Sequence, residues 1–466
     1  MSRPADYDLV VLGAGPGGYV AAIRAAQLGL RTAVVERDRP GGVCGNWGCI
    51  PSKAILTDAA LFAELKAGAR RGILADNIRV DYAGVIARSR EVADRQAKGV
   101  EFLFKKHGVA YHQGVGRLTR GGVLVTADGS GPQRVAARHV LLATGSRERT
   151  LPGLEIDGEV VVTSREALES RKLPASVVII GGGAVGVEFA YAWASFGARV
   201  MVVEMAETLL PGMDADLGRE LARAFKRQGT EVLTAHRYQS LAREPGRARV
   251  VVAGPGGPRT LEAERVLVAV GRAPLSEDLG LEEAGVRTEK GFVVTGDGMQ
   301  TTAEGVYAIG DLVGPLLLAH AASEQGVVAV ETMAGKRTGG RIDPSRVPVC
   351  VYCLPEVAAV GLSEAEARAA GHDVRVGTFP FRALGKAMAT GHTEGFVKLV
   401  TEARHGAILG AHMIGAGVTD LIAEAGLART LEATTEEVIA TVHAHPTMAE
   451  ALREAALVAS GQAVNV

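Results

Sequence analysis

Two cysteines near the N-terminus have the spacing of a redox-active pair. Four residues separate Cys44 from Cys49, so a short loop can bring the two sulfurs together as a strained, reducible bond. Pro51 favours a helix that starts beside Cys49, because proline suits the first turn of a helix. The dipole and the free N–H groups of a helix N-terminus favour a thiolate there. The spacing alone also fits two unrelated buried thiols, and that alternative stays open at this point.

A histidine and a glutamate near the C-terminus have the types and spacing of an acid–base pair. His445 and Glu450 lie in the run HAHPTMAE, which begins at His443. Thiol–disulfide exchange needs an attacking thiolate, and a histidine oriented by a carboxylate can remove a thiol proton at neutral pH and return it later. Pro446 can start a helix that carries Glu450 back toward the imidazole. The run alone also fits a structural histidine, which is the interpretation taken for His443.

The elements that surround these residues form an internal repeat. Each copy is an apolar strand, a glycine-rich turn, a helix and a second strand that ends in glutamate. The spacing from the first glycine to the glutamate is 23 residues in both copies, from 13 to 36 and from 181 to 204. The turn glycines and the acids are Gly13, Gly15, Gly18 and Glu36 in the first copy, and Gly181, Gly183, Gly186 and Glu204 in the second.

Dinucleotide binding explains this pattern. The first glycine makes the tight turn, the second lets the backbone approach a pyrophosphate, and the third allows close packing of helix on strand. The helix N-terminus presents free N–H groups to the phosphates, and the glutamate accepts hydrogen bonds from an adenosine ribose. One such turn is weak evidence, but two copies in the right context are strong. We therefore expect two dinucleotides, one a bound redox group and the other a diffusing hydride carrier.

With the repeat in place, several segments identify a family. Residues 41–53 resemble the redox motif GGTCLNVGCIPSK of the flavin-dependent pyridine nucleotide–disulfide oxidoreductases, and they depart from it at Gly45 and Trp47, where Leu and Val are usual. Residues 301–311 resemble the second flavin motif, and residues 271–274 resemble GRxPN, with Leu275 in place of Asn. Residues 355–361 and 443–450 resemble the start and the catalytic end of the dimerisation domain. The resemblance covers nearly the whole chain.

The resemblance implies an α/β fold with two Rossmann-like dinucleotide-binding domains plus a C-terminal α+β dimerisation domain. It implies a FAD-binding domain at residues 1–150 and an NAD-binding domain at residues 151–271. A central domain that returns to the flavin is expected at 272–343, and an interface domain at 344–466. The implied cofactors are FAD and NAD.

The resemblance also assigns roles. Cys49 is expected to lie against the flavin and Cys44 to exchange with substrate, while His445 and Glu450 are the acid–base pair. Lys53 is expected near the flavin, paired with Glu188. The helix that starts at His320 should stabilise negative charge on the reduced ring through its N–H groups, with the imidazole itself structural. The full set of expected FAD-binding residues is Gly13, Gly15, Gly18, Glu36, Lys53, Thr144, Gly145, Asp311 and His320, and the NAD-binding set is Gly181, Gly183, Gly186, Glu188, Glu204 and Gly271.

The implied activity is oxidation of protein-bound dihydrolipoamide to lipoamide through the redox disulfide and FAD, with NAD⁺ as the final acceptor. A glutathione-reductase-like activity is the first alternative, but Met205, Ala206 and Glu207 follow Glu204, and this segment would repel the 2′-phosphate of NADPH. A mercuric-reductase-like activity needs a C-terminal cysteine pair, and no cysteine follows Cys353. A non-catalytic flavoprotein redox sensor is disfavoured because every catalytic element is present.

Composition limits the partners and the cofactors. The 51 basic residues nearly cancel the 52 acidic ones, so no strong field recruits nucleic acid or an anionic membrane. Residues 177–193 are too short for a membrane span and contain Glu188. Cys350 and Cys353 are interpreted as ordinary buried thiols and no metal is expected, because no second Cys-x-x-Cys pair completes a tetrahedral site.

Localisation and assembly are inferred in the same way. Residues 1–6 lead directly into an apolar strand without a secretory leader, and four cysteines in 466 residues do not make a secreted disulfide scaffold, so the cytoplasm is expected. The resemblance implies a homodimer. Its expected partners are lipoyl domains and the acyltransferase core of a 2-oxoacid dehydrogenase complex.

Overall fold

The computed structural model describes residues 5–127, 129 and 131–465. Residues 1–4, which belong to the segment expected to lack a leader, lie outside the described residues. The chain divides into two compact units. The first contains the chain up to Ala54 together with Gly84–Arg149 and Gly271–Ile342, and the second contains Ile55–Ala83, Thr150–Val270 and Asp343–Val466. The division into four regions stays a prediction.

The secondary structure combines alternating strands and helices with runs of consecutive strands, at residues 110–162 and 231–308. The strands are β1 Tyr7–Leu12, β2 Thr32–Glu36, β3 Ala110–Gln113, β4 Val115–Thr119, β5 Gly122–Thr126, β6 Gln133–Leu142, β7 Ser146–Glu148, β8 Val161–Val162, β9 Ser176–Ile180, β10 Arg199–Val203, β11 Glu231–Leu233, β12 Arg237–Glu244, β13 Arg247–Gly254, β14 Gly257–Ala263, β15 Arg265–Val268, β16 Arg272–Pro274, β17 Thr288–Glu289, β18 Phe292–Val293, β19 Val306–Ala308, β20 Val349–Val351, β21 Glu356–Gly361, β22 Val374–Pro380, β23 Phe396–Glu402 and β24 Ile408–Gly415. The helices are α1 Pro16–Gln27, α2 Gly42–Trp47, α3 Cys49–Ala67, α4 Tyr82–Lys106, α5 Ser164–Glu169, α6 Ala184–Phe196, α7 Ala215–Arg227, α8 Ala319–Met333, α9 Glu364–Ala369, α10 Gly385–Thr390, α11 Val418–Thr430, α12 Thr435–Ala440 and α13 Glu450–Ala459.

The first unit is built on a sheet whose strand order is β3-β2-β1-β6-β5-β4, with β19 also paired to β6. β1 lies parallel to both β2 and β6, which places it at the centre of the sheet. Its side chains alternate between two cores: Leu9 and Val11 pack with α1 and α8, whereas Val10 and Leu12 pack on the opposite face. Burial on both faces explains why this strand reads as an uninterrupted apolar run.

The second unit contains two larger sheets. One is parallel, in the order β11-β10-β9-β15-β8, and its apolar face packs against the antiparallel β12-β13-β14 sheet. The other is antiparallel, in the order β20-β21-β24-β23-β22, and α11 and α13 contribute to its core. This antiparallel sheet is formed by the C-terminal part of the chain.

The predicted α/β fold class is confirmed, and so is the repeat. Each glycine-rich turn connects a buried parallel strand to a helix, β1 to α1 and β9 to α6. The apolar run 177–193 is divided between β9 and α6. Among the described residues, no helix has both the length and the apolar character needed to cross a bilayer.

Candidate active site and cofactor cradles

The glycine turn of the first copy leaves one open position between two crowded ones. Gly13 has φ +103°, and a Cβ placed on it would lie 2.3 Å from the Ala143 carbonyl oxygen. A Cβ on Gly18 would lie 2.0 Å from the Gly13 carbonyl oxygen, so neither position admits a side chain. A Cβ on Gly15 would have no protein atom within 4 Å. The absence of a side chain at Gly15 therefore leaves room for a ligand rather than for packing.

The second copy repeats this geometry. Gly181 has φ +112°, and its Cβ would lie 2.2 Å from the Ala269 carbonyl oxygen. A Cβ on Gly186 would lie 1.9 Å from the Gly181 carbonyl oxygen, whereas one on Gly183 would meet nothing within 4 Å. The same division of roles in two independent turns matches the three duties expected of the motif.

The open glycines are also the N-caps of the two helices. Gly15 precedes α1 and Gly183 precedes α6, and neither helix has a side-chain cap on its N-terminal N–H groups. Uncapped N–H groups at the positive end of a helix are suited to phosphate oxygens. Both turns therefore fit a pyrophosphate.

The two predicted ribose acids are held in the same way. One carboxylate oxygen of Glu36 accepts from the Ala14 N–H at 2.7 Å, and the other accepts from the Asp38 N–H at 2.9 Å. Glu204 accepts from Gly182 at 2.7 Å and from Ala206 at 2.8 Å. Burial raises the pKa of Glu36, and its two backbone hydrogen bonds oppose that shift. Each oxygen keeps a second acceptor position, which suits ribose hydroxyl groups.

The predicted flavin residue Asp311 belongs to a polar cluster. Its carboxylate accepts from the Ser146 hydroxyl. Arg272 donates through Nε to the Ser146 hydroxyl at 2.6 Å and through Nη2 to the Ser146 carbonyl at 2.9 Å. Sequence reasoning assigned no role to Ser146 or to Arg272. The arginine of the GRxP segment was the available signal, since a partly buried carboxylate is stabilised by such a partner.

Hydrogen bonds to the backbone of Leu275 connect it to Thr144 and Gly145, two of the residues predicted to bind FAD. The Thr144 hydroxyl donates to the Leu275 carbonyl at 2.8 Å, and the Leu275 N–H donates to the carbonyl of Gly145 at 2.9 Å. Gly145 and Gly271 have φ +73° and +105°, which favours glycine at both positions. Because Leu275 is bound through its backbone, the replacement of the usual asparagine does not disrupt this connection.

The cysteine segment is more helical than predicted. Cys44 lies inside α2 instead of in a loop, and α3 begins at Cys49, two residues before Pro51. Gly48 separates the two helices with φ −151° and ψ −111°, a conformation outside the helical region. The prediction of a loop was wrong because a single turn of helix also spans this distance.

Within this segment the two thiols are hydrogen-bonded to each other. The pKa of the Cys44 thiol is raised by its hydrogen bond to Cys49, by burial and by the charge of Cys49. The charge of Lys53 opposes this shift. The raised pKa favours the thiol form of Cys44. Cys49 is the first residue of α3, where the helix dipole favours a negative charge.

The unusual Trp47 connects α2 to its surroundings. Its indole N–H donates to Asp38 Oδ2 at 2.7 Å, and the guanidinium of Arg90 lies 4.5 Å from the ring centroid. Arg90 also donates to the Asn46 carbonyl. Gly45 lies against the Gln96 side chain, and a Cβ there would lie 3.1 Å from Gln96 Oε1. The departure at Trp47 thus anchors the helix that carries Cys44.

Trp47→Phe should destabilise this helix selectively. The variant keeps an aromatic ring at this position but loses the charge-assisted hydrogen bond to Asp38. Such a bond contributes about 1.5–3 kcal/mol. We expect a lower free energy of unfolding in urea and faster alkylation of Cys44 by iodoacetamide. Trp193→Phe is the matched control, because Trp193 also donates its indole N–H, to the Tyr82 hydroxyl at 2.9 Å. If both variants change Cys44 alkylation equally, the effect is not specific to α2.

The predicted acid–base pair is formed. His445 Nδ1 lies 2.9 Å from Glu450 Oε1, and Glu450 Oε2 accepts from the Thr447 N–H at 2.8 Å. Burial alone would raise the pKa of Glu450, but these bonds and the charges of His445 and His443 hold it below its usual value. The His445 side chain is 77% exposed, so its second ring nitrogen is accessible. The helix expected to start at Pro446 starts instead at Glu450.

The remaining predicted residues lie on defined elements. Glu188 is buried on α6, where its Oε1 accepts from the Tyr352 N–H at 3.1 Å. Lys53 lies on α3, and its expected pairing with Glu188 stays a prediction. His320 is exposed in the first turn of α8, and no side chain caps that helix.

The third and fourth cysteines are placed separately. Cys350 lies on β20, with its sulfur 4.0 Å from the Thr419 carbonyl oxygen, whereas Cys353 lies beyond the strand and is fully buried. The Cys353 thiol donates to the Pro355 carbonyl at 3.5 Å. In the described part of the chain, no group of three or more His, Cys, Asp or Glu residues has the arrangement to hold a metal ion.

Comparison with known families covers most of the chain. The pyridine nucleotide-disulphide oxidoreductase family model matches residues 7–326. The model of the dimerisation domain of the same family matches residues 347–456.

Curated relatives extend this similarity to nearly full length. A protein named dihydrolipoyl dehydrogenase from Bacillus subtilis is 42% identical to this chain, and the alignment covers 99% of both chains. The protein of that name from Chlorobaculum tepidum is 44% identical, with 97% of both chains covered. The protein of that name from Mycobacterium tuberculosis is 44% identical over 96% of this chain and 97% of its own.

Solved structures show the same fold. The crystal structure of LpdA from Mycobacterium tuberculosis matches with a TM-score of 0.89 at 28% identity, covering 96% of this chain and 98% of that one. The flavoprotein disulfide reductase RclA from Escherichia coli matches with a TM-score of 0.86 at 24% identity, over 98% and 99% of the two chains, which is a likeness of fold.

Proposed function

The chain belongs to the pyridine nucleotide–disulphide oxidoreductase family, and on that premise we propose that it oxidises protein-bound dihydrolipoamide to lipoamide with NAD⁺ as the final acceptor. The observation that carries the proposal is the presence in one chain of a hydrogen-bonded cysteine pair and a histidine oriented by a carboxylate. Relatives that are 42–44% identical and carry the name dihydrolipoyl dehydrogenase support it.

As a member of this family the protein uses FAD and NAD(H). When bound, FAD supplies the two-electron chemistry that links a dithiol to a nicotinamide. The proposed FAD residues are the turn around Gly15 with Glu36 and the Asp311 cluster. The proposed NAD residues are the turn around Gly183 with Glu204. The proposed roles of the two turns follow from their open glycines and uncapped helices.

The chain's own residues carry out thiol exchange. Nε2 of His445 accepts a proton from a substrate thiol, and the resulting thiolate attacks Cys44 of the oxidised pair. The Cys44–Cys49 bond breaks, which leaves a mixed disulfide on Cys44 and a thiolate on Cys49. The second substrate thiol then loses its proton to solvent, attacks the substrate sulfur in that mixed disulfide, closes the lipoamide ring and returns Cys44 as a thiolate. His445 reprotonates Cys44, in agreement with the raised pKa of that thiol.

Glu204→Ala should weaken NAD⁺ binding about ten- to a hundredfold, because a hydrogen bond to a charged group contributes about 1.5–3 kcal/mol. Discrimination against NADP⁺ should fall in the same variant, because the carboxylate that repels the 2′-phosphate is gone. The measurement is KM for each nicotinamide. Glu36→Ala is the matched control in the first copy, and it should lower flavin content without changing nicotinamide preference. A wild-type enzyme that uses NADP⁺ as well as NAD⁺ would contradict the role of Glu204.

Steady-state assays test the proposed function directly. Dihydrolipoamide with NAD⁺ should give the highest kcat/KM when compared with glutathione disulfide and mercuric ion, each assayed with NADH and NADPH. Preferential turnover of glutathione disulfide with NADPH would overturn the proposal. Electron transfer without turnover of any disulfide or dithiol would favour a redox sensor.

Assembly is proposed on separate grounds. The match to a dimerisation domain over residues 347–456 supports a homodimer, which sedimentation velocity can measure. Lipoyl domains and the acyltransferase core of a 2-oxoacid dehydrogenase complex are the proposed partners, because a dihydrolipoyl substrate is carried on such domains. The cytoplasm is the proposed location, since four cysteines in 466 residues do not indicate a secreted scaffold.

A further inference from the structure

The segment before α13 contains two histidines, and each contacts a glutamate. His445 contacts Glu450, as described above. His443 Nε2 lies 2.7 Å from Oε1 of Glu424 on α11. The two rings differ in exposure: the His443 side chain is 5% exposed, whereas that of His445 is 77% exposed. The sequence interpretation of His443 as merely structural did not anticipate this second pair.

Both ring nitrogens of His443 lie beside hydrogen-bond acceptors. Its Nδ1 lies 3.0 Å from the Thr441 carbonyl oxygen, and its Nε2 faces the Glu424 carboxylate. A carbonyl oxygen and an ionised carboxylate can only accept hydrogen bonds, so these contacts suit a ring that donates from both nitrogens, which is an imidazolium. His445, by contrast, has one nitrogen bonded to a carboxylate and keeps the other for a proton from substrate.

Charged groups surround His443 on three elements. Glu424 approaches from α11 and Glu450 from α13, and His445 lies two residues away in the same segment. Arg453 on α13 donates to the Ile439 carbonyl at 3.1 Å, which places a second cation near this segment. After the effects of burial, Thr447 and His445, the charge of His443 also helps to hold the pKa of Glu450 below its usual value. His443 therefore lies close enough to Glu450 for a positive charge on its ring to influence the acid–base pair.

We propose that the His443–Glu424 ion pair positions and tunes the His445–Glu450 pair. A cation at His443 favours an ionised Glu450, and an ionised Glu450 holds His445 in the tautomer with the proton on Nδ1 and the lone pair on Nε2. The same cation disfavours a second positive charge on His445, so the base stays available at lower pH. His443 is a positioning residue, and this role rests on the proposed function.

The test compares His443→Gln with wild type in the pH profile of kcat/KM for dihydrolipoamide. Loss of a single nearby charge should move the acidic limb up by about 0.5 pH unit, or about threefold in kcat/KM below the limb. The plateau at higher pH should change less than about twofold, because His445 and Glu450 remain in place. His372→Gln, a change at an exposed histidine of the same unit, is the matched control and should leave the profile unchanged.

A spectroscopic arm does not depend on activity. In deuterated protein with ¹³Cε1-labelled histidine, the His443 signal should be that of an imidazolium at pH 7.5 in wild type and should lose that character in Glu424→Gln. In His443→Gln the ratio of protonated to neutral His445 at a fixed acidic pH should rise about threefold. A wild-type protein that is inactive with dihydrolipoamide would refute the proposed function. The His445 signal would still test whether the His443–Glu424 ion pair acts on His445. A neutral His443, or a His443→Gln variant with a lower plateau and an unmoved limb, would overturn the inference.

Discussion

Replacing Cys44 by serine should lower the kcat for dihydrolipoamide oxidation by at least about a thousandfold, because the sulfur that accepts the substrate is gone. The same variant leaves Cys49 without its disulfide partner. Since Cys49 begins α3, where the helix dipole favours a negative charge, we expect a stable thiolate at Cys49. A thiolate against the flavin gives a long-wavelength charge-transfer band, so the resting variant should show this band without added reductant.

Two controls separate the roles of the sulfurs. Cys49→Ser should be equally inactive toward dihydrolipoamide but should show no such band, because no thiolate lies against the flavin. Cys350→Ser should retain activity, since Cys350 lies on β20 and is not part of the proposed exchange. Reduction of ferricyanide by NADH bypasses the cysteines and should persist in all three variants. A band in Cys49→Ser and none in Cys44→Ser would reverse the assignment of the two thiols.

Local features made the nucleotide cradles predictable from the sequence. In both turns, the third glycine is required by the carbonyl of the first, five residues earlier, and the first glycine by a carbonyl at the end of the neighbouring strand. Glu36 and Glu204 follow 23 residues after the first glycine, because one helix and one strand fill that distance in both copies. The geometry of such a motif can therefore be predicted from the spacing of its residues alone.

Other parts of the site depend on contacts between distant residues. Trp47 is bonded to Asp38 and stacked with Arg90, and no local pattern relates these positions. Likewise, Glu424 lies on α11, 19 residues before His443. The spacing of the cysteines pointed to a short loop at Cys44, but a single turn of helix also spans that distance when neighbouring side chains fix its ends. Contacts between residues distant in sequence therefore determine these parts of the site, and residue spacing does not reveal them.

His445→Gln should lower kcat/KM for dihydrolipoamide about a hundred- to ten-thousandfold, the usual contribution of a general acid–base group. Glutamine can still donate to Glu450, so the segment keeps its hydrogen bond, but its amide cannot take a proton at neutral pH. Stopped-flow reduction of the enzyme by dihydrolipoamide should slow by the same factor. Reduction of the flavin by NADH should be unchanged, because hydride transfer from the nicotinamide needs no thiol proton. A parallel loss in both half-reactions would point to misfolding instead.

Glu450→Gln should produce a smaller loss with a different pH dependence. Because the pKa of Glu450 is held below its usual range, the carboxylate is ionised throughout the neutral range and its own titration does not shape the profile there. The amide still accepts from His445 Nδ1 but carries no charge to stabilise an imidazolium. His445 should therefore hold the substrate proton less well, and the acidic limb should move down while the plateau falls about ten- to a hundredfold. Opposite movements of the limb in Glu450→Gln and His443→Gln would follow from opposite charges acting on one imidazole. Movements in the same direction would contradict the proposed arrangement, in which the carboxylate stabilises a proton on His445 and the neighbouring cation opposes it.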